Sequence, residues 1–184
     1  MEHILSLDFG ILNWIAEHVQ SNTLDQVMPR ISWLGNSGMV FIVLALVLLV
    51  FPKQRGTGVQ ILLALVFSLL LCNVLLKNVV ERVRPFELVS GIELLVKAPH
   101  DFSFPSGHTS AAFAAATVFL RSRSRYKYLF LGFALLMGFS RLYLYVHFPS
   151  DVIGGILTGL ASGYFATLCY QWFAKRRDHS QGGR

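Results

Sequence analysis

Apolar residues run along this chain in long blocks separated by short polar stretches. A helix crossing the roughly 30 Å hydrocarbon core of a bilayer needs about 20 mostly apolar residues. By that measure the blocks predict spans at Ile31 to Phe51, Gly58 to Asn78, Ser106 to Leu120, Tyr128 to Val146 and Ser150 to Phe173. The third is short and has a polar start at Ser106, Gly107 and His108. Ahead of them the pattern changes. Ile4, Leu7, Ile11, Trp14 or Ile15 and Val19 recur at helical spacing, with Glu2, Ser6, Asn13, Glu17 and Gln20 largely elsewhere around the wheel. This predicts an amphipathic helix lying on the membrane surface or covering the flank of the bundle. It lacks the basic start and long apolar stretch of a cleaved signal peptide. Nothing resembling a repeat or an interdomain linker divides the chain. Residues 1–184 are therefore expected to form one membrane-embedded, all-α domain: a polytopic transmembrane helix bundle of about five spans plus the N-terminal surface helix.

Composition agrees with a membrane setting. Of 184 residues, 54% are hydrophobic and 14% charged, against about 25% charged in a typical soluble domain. Cys72 and Cys169 sit in apolar runs, where a thiol behaves as a small hydrophobe. The formal charge of +6 changes meaning once the charges are sorted by side. Lys53, Arg55, Arg121, Arg123, Arg125, Lys127, Lys175, Arg176, Arg177 and Arg184 fall on one side with only Asp178 against them, a net of +9. The other side carries six cations (Arg30, Lys77, Arg82, Arg84, Lys97, Arg141) against nine carboxylates, a net of −3. Lysine and arginine accumulate in the cytoplasm, so the C-terminus is expected inside and the N-terminus outside. Short basic loops beside spans call for snorkelling side chains and lipid headgroups, with no nucleic acid as partner. Oligomeric state is not readable from the sequence.

Against this background a few ionisable residues are out of place. Placing one inside a span costs roughly 2.5 to 3.5 kcal/mol even on the lenient insertion scale. Lys77 ends the second span, and Arg84 follows seven residues later, on the same face if the helix persists to Pro85. Arg141 interrupts the fourth span, His108 opens the third, and His147 and Asp151 fall between the fourth and fifth. All six converge on the outer side. Singly, each has a plain reading as a snorkelling cation, a satisfied histidine or a first-turn carboxylate. Together, three cations, two imidazoles and a carboxylate describe a site for an oxyanion with two proton-handling groups. The cations match the charge on a phosphoryl group as it spreads in the transition state. Ser106 and Gly107 form a helix start whose free N–H groups bind anions. One histidine attacks phosphorus while the other protonates the leaving oxygen. The attacking imidazole needs an orienting carboxylate, and Asp151 is available four residues beyond His147. No cluster of carboxylates offers itself to a metal.

Three stretches carry a resemblance. Lys77 through Arg84-Pro85 fits KxxxxxxRP, Pro105-Ser106-Gly107-His108 fits PSGH, and Ser140-Arg141 through His147 to Asp151 fits SRxxxxxHxxxD. Together they resemble the signature of the type 2 phosphatidic acid phosphatase family, which also includes undecaprenyl pyrophosphate phosphatases and, more distantly, glucose-6-phosphatases and vanadium haloperoxidases. The match runs from Lys77 to Asp151, about 40% of the chain. The resemblance implies His147 as nucleophile, Asp151 as its partner, His108 as general acid, and Lys77, Arg84, Arg141, Ser106 and the Gly107 backbone as phosphate ligands. It also implies work without a metal or other cofactor. The family commonly has six spans and a site facing away from the cytoplasm, so five spans plus a surface helix depart from its pattern.

The expected activity is removal of a terminal phosphate from a lipid monophosphate or diphosphate at the outer face, through a phosphohistidine. Undecaprenyl pyrophosphate, phosphatidylglycerophosphate and phosphatidic acid are the candidate substrates. Two other readings use the same residues: a small-molecule phosphatase or haloperoxidase, and a non-catalytic headgroup binder or transporter. The polar stretch Glu81 to Pro105 joins two of the motifs, and Glu87, Glu93, Lys97, His100 and Asp101 within it are the candidates for headgroup choice.

Overall fold

The computed structural model describes residues 2–122 and 124–181, and every regular element in them is helical. Chain order gives α1 (Glu2–His18), α2 (Asn22–Leu34), α3 (Met39–Val50) and α4 (Arg55–Ser68), then a π-helical stretch (Leu69–Leu76) leading into α5 (Lys77–Val80). After these come α6 (Pro85–Leu88), α7 (Gly107–Arg121), α8 (Lys127–Tyr143) and α9 (Pro149–Gln181). Arg123 and Arg184, which contribute to the charge asymmetry, lie outside the described residues, as do the side chains of Glu2, Arg177 and Asp178.

The weakest expected span is the one the others wrap. α7 packs against α4, α8 and α9, and Ala112, Phe113, Ala114, Ala115, Ala116 and Phe119 form the middle of the main core. Its low apolarity in sequence follows from facing protein rather than lipid. Small side chains let its neighbours come close: a Cβ added at Gly155 or Gly159 of α9 would lie 2.6 Å from the carbonyl oxygen of Ser106, which precedes α7, or 2.5 Å from that of Ser110 within it. Close backbone approach through small residues is how helices associate when lipid supplies no hydrophobic drive. Hydroxyls add a second tie, since Ser110 Oγ lies 2.7 Å from Ser68 Oγ and accepts from Thr158 Oγ1 at 3.0 Å.

Among the described residues, two elements are long and apolar enough to cross a membrane, the run Arg55–Leu88 and the Pro149–Arg176 part of α9. A third is available if α2 and the following helix are taken as one span bent by 47°. α7 and α8 have 15 and 17 residues, about 22 and 26 Å at 1.5 Å per residue. Length therefore supports two to three spans where five were expected. The expected first span is also displaced. Residues 31–34 belong to α2, and Gly35-Asn36-Ser37-Gly38 breaks the helix, with Ser37 and Gly38 at φ 52° and 65°.

The N-terminal helix forms, with an unexpected face turned inward. Ile4, Leu7, Ile11 and Trp14 are exposed, whereas Asp8, Leu12 and Ile15 are buried. Large apolar side chains are likewise exposed along α3 (Val43, Val47), the π-helical stretch (Leu70, Val74) and α9 (Leu157, Phe165). Such extensive apolar surface suits lipid as solvent.

Candidate active site

Local chain geometry delivers each signature residue to one end of the bundle. Lys77 follows the π-helical stretch, a widened turn often found at functional sites. The helix does not persist to Pro85 as the spacing allowed: α5 ends at Val80 and Glu81 turns left-handed at φ 49°. Pro85 disfavours helical backbone in the residue before it, and Arg84 is extended, at φ −83° and ψ 154°. Arg84 thus reaches the site from a turn. α7 begins at Gly107 beside the Asn73 side chain, which a Cβ on Gly107 would meet at 2.9 Å. Arg141 lies in the last turn of α8, a favourable place for a cation. His147 precedes Pro149, which opens α9, and Asp151 occupies the first turn of that helix.

Lys77, Arg84, Gly107, His108, Arg141 and His147 line one cavity of about 1190 Å³. Ser106 and Asp151 are fully buried and are not among its lining residues. Ser106 Oγ accepts from Thr109 Oγ1 at 2.9 Å, and its backbone N–H donates to the Asp151 carbonyl at 3.0 Å. Its side chain is therefore engaged inside the protein, and it ties the start of α7 to α9.

Both histidines meet their neighbours through Nε2, as an acceptor on His147 and as a donor on His108. Arg84 Nη1 lies 3.3 Å from His147 Nε2. A guanidinium only donates, so Nε2 is the bare nitrogen and the neutral ring carries its proton on Nδ1. That Nδ1 is 3.6 Å from Asp151 Oδ2. Burial, reinforced by the charges of Arg84, Arg141 and Lys77, pushes the His147 imidazole well below its ordinary value and keeps it neutral. His108 Nε2 lies 3.0 Å from the Asn36 side-chain oxygen. An amide oxygen only accepts, so this nitrogen carries a proton.

The cations are held by oxygens. Arg84 donates from Nε to the Asp101 carbonyl at 2.8 Å, from Nη1 to the Val146 carbonyl at 2.6 Å and from Nη2 to Asp101 Oδ1 at 2.7 Å. Lys77 Nζ pairs with the other oxygen of the same carboxylate. Asp101 therefore lies across two of the three cations as an internal anion. Burial raises its pKa, but the hydrogen bond and charge of Lys77 and the charge of Arg84 outweigh that and hold it down at about 2. Arg141 donates from Nη1 to Ser32 Oγ. Among the described residues, Arg141 Nε and His147 Nδ1 are the buried side-chain nitrogens without a partner, and a buried donor left without one is uncommon in a folded protein.

Of the loop residues singled out for headgroup choice, Lys97, His100 and Asp101 line the cavity, while Glu87 and Glu93 are not among its lining residues. Sequence reasoning missed Arg82 and Ser103, which donate to Asp151, Asp8, which pairs with Arg82, and Ser32 and Asn36, which meet Arg141 and His108. Arg82 had a signal, lying within the KxxxxxxRP stretch two residues before Arg84.

Comparison with known proteins bears on this arrangement. Residues 57–177 match the family model described as the PAP2 superfamily. The undecaprenyl-diphosphatase of Sulfolobus acidocaldarius is 34% identical over 79% of this chain and 70% of its own length. The crystal structure of Aquifex aeolicus LpxE superposes with a TM-score of 0.77 at 32% identity, covering 87% of this chain and 94% of that one. A transmembrane PAP2-type phosphatidylglycerolphosphate phosphatase from Bacillus subtilis gives a TM-score of 0.74 at 28% identity, covering 96% and 88%.

Proposed function

The chain belongs to the PAP2 superfamily and is a membrane lipid phosphatase, and from that premise we propose that it hydrolyses a terminal phosphate ester or anhydride through a phosphohistidine on His147, without a metal. The observation that carries this reading is the orientation of His147, with its bare Nε2 toward the cations and its Nδ1 toward Asp151. Nε2 attacks phosphorus, forming an N–P bond as the P–O bond to the lipid breaks and its electron pair passes to the leaving oxygen. Protonated His108 gives that oxygen its proton. Lys77, Arg84, Arg141 and the Gly107 backbone hold the three equatorial oxygens, with Asp101 displaced from Lys77 and Arg84 by the incoming phosphate. Asp151 stabilises the resulting imidazolium. Water, deprotonated by His108, then attacks phosphorus; the N–P bond breaks and phosphate leaves.

The substrate class is a lipid monophosphate or diphosphate. Between α3 and α4 the cavity continues along Ile42, Leu62, Leu65 and Val66, an apolar trough suited to acyl or prenyl chains. Arg30 and Lys97 also line the cavity, two cations beyond those assigned to the reacting phosphate, which suits a diphosphate. The relatives are named for undecaprenyl diphosphate, phosphatidylglycerophosphate and lipid A. The basic loops at the far end of the bundle orient it with that end cytoplasmic, placing the site outside together with the N-terminus. In this arrangement α7 and α8 cross the bilayer as well, giving five spans, and the exposed stripe of α1 lies in the interface.

The test is phosphate release by purified protein in detergent, across a panel of undecaprenyl diphosphate, phosphatidylglycerophosphate and phosphatidic acid. Wild type is expected to trap radiolabelled phosphate in an acid-labile, base-stable linkage, and His147→Ala to lose both label and turnover. Turnover at the native rate by His147→Ala would overturn the reading.

A further inference from the structure

Outside the family-matched segment, α1 places a carboxylate where an amphipathic surface helix has no need of one. Asp8 is 3% exposed and accepts three hydrogen bonds: from Arg82 Nη2 at 2.7 Å, from the Ser150 N–H at 2.9 Å and from Ser150 Oγ at 2.5 Å. The other terminal nitrogen of Arg82 donates to Asp151 Oδ1 at 2.6 Å. One guanidinium therefore bridges a carboxylate from α1 and a carboxylate from α9. Its position is fixed from two further directions, by the Phe148 ring 4.1 Å beneath it and by the Ser103 N–H donating to the Arg82 carbonyl at 2.7 Å. Asp151 Oδ2, on the side of His147, accepts from Ser103 Oγ at 2.5 Å and from the Phe148 N–H at 2.8 Å.

Charge bookkeeping gives the bridge a purpose. Asp151 paired with Arg82 alone is neutral, and a neutral pair opposes little of the positive charge that develops on His147. With Asp8 the group carries a net of −1, so the phosphohistidine cation completes a neutral quartet. We infer that Asp8, through Arg82, is a positioning residue of the phosphatase reaction: it takes a share of the Arg82 charge, so that the guanidinium does not cancel the Asp151 carboxylate that faces His147 and stabilises the phosphoenzyme. This rests on the assignment of His147 as nucleophile.

Asp8→Asn keeps the shape of the contact and removes the charge. It is expected to lower kcat on the order of tenfold, the scale at which outer carboxylates act through a liganding imidazole. KM and inhibition by inorganic phosphate should stay within about twofold, because no substrate contact is lost. The double variant Asp8→Asn/Arg82→Gln restores a net of −1 on Asp151 alone, so it should turn over faster than Asp8→Asn. A purely structural bridge predicts the opposite, with the two losses adding. Wild-type kcat in Asp8→Asn, or a double variant slower than either single one, overturns the inference. Should the double variant not fold, the steady-state level of phosphoenzyme in Asp8→Asn decides: a lowered level with unchanged inhibition by inorganic phosphate supports it, and an unchanged level overturns it. His147→Ala run alongside separates the two failures, since an active His147→Ala sinks the nucleophile assignment itself.

Discussion

At the end of the bundle where α7 and α9 begin, Lys77, Arg84 and Arg141 are 6%, 2% and 4% exposed, and each meets an oxygen of Asp101 or Ser32. About 22 Å away along α7, at 1.5 Å per residue, the same residue types are arranged differently. Arg121 lies over the Tyr164 ring at 4.6 Å, Arg125 over Tyr126 at 4.8 Å and Arg176 over Trp172 at 3.8 Å, all on the surface. Surface cations resting on aromatic faces keep their water and cost little to place there. Buried cations lose water and are tolerated only with partners. Three cations at one end, with a donor on one of them left unpaired, are expensive for folding alone. On the proposed mechanism they form a receptacle whose anion arrives with the substrate.

The contrast is open to attack from the catalytic end first. Arg141→Ala removes the cation with the unpartnered donor and is expected to lower kcat/KM on the order of 10²- to 10³-fold, while Arg121→Ala, read by the same phosphate-release assay, should leave turnover unchanged. Arg141→Lys restores charge without the fork of donors and should recover only part of the loss. Equal effects from Arg141 and Arg121 would erase the distinction between the two ends. A smaller effect separates substrates. Arg30→Ala combined with Lys97→Ala should raise KM for a lipid diphosphate roughly tenfold, taking one charge-assisted contact as worth about 1.5 kcal/mol, with little change for a monophosphate. Equal losses on both substrates would remove these two residues from diphosphate recognition.

Legibility in the sequence followed the same division. Residues that are chemically out of place in an apolar run, such as His108, Arg141 and His147, announce themselves, and the structure brings all three to one cavity. The bundle's helical character was equally plain, because block apolarity survives in any packing arrangement. What sequence could not give is which neighbour a side chain meets. Asp8 sits on a helix whose exposed apolar stripe dominates the periodicity, so its burial against Arg82 leaves no trace in the pattern. Asp101 looks like one of several loop charges until the chain folds back and lays it across Lys77 and Arg84. α7 was underrated for a related reason: alanine and serine score poorly for lipid contact and serve well for close helix packing.

Asp101 offers a gentler perturbation, because on the proposed mechanism it competes with the phosphate for Lys77 and Arg84. Asp101→Asn retains a side chain of the same shape and withdraws the charge, so inorganic phosphate and vanadate should inhibit more strongly, by roughly three- to tenfold if about 1 kcal/mol of competition is relieved. The pH dependence is part of the prediction. With its carboxyl held at about 2, Asp101 remains ionised from acid conditions through neutrality, so the gain should be constant above about pH 4. A gain that vanishes between pH 5 and 7 would mean that some other group sets the competition.

The smallest effect belongs to the opposite end. Arg176→Ala removes a guanidinium 3.8 Å above the Trp172 ring, a contact worth roughly 0.5 to 1 kcal/mol at an exposed position. Thermal unfolding in detergent should shift by no more than a few degrees, with kcat and KM unaltered. Vesicles then sharpen the comparison. If these cations serve orientation and headgroup contact, the variant's loss should grow in anionic membranes and shrink in zwitterionic ones, a lipid dependence that Arg141 and its buried companions have no reason to share.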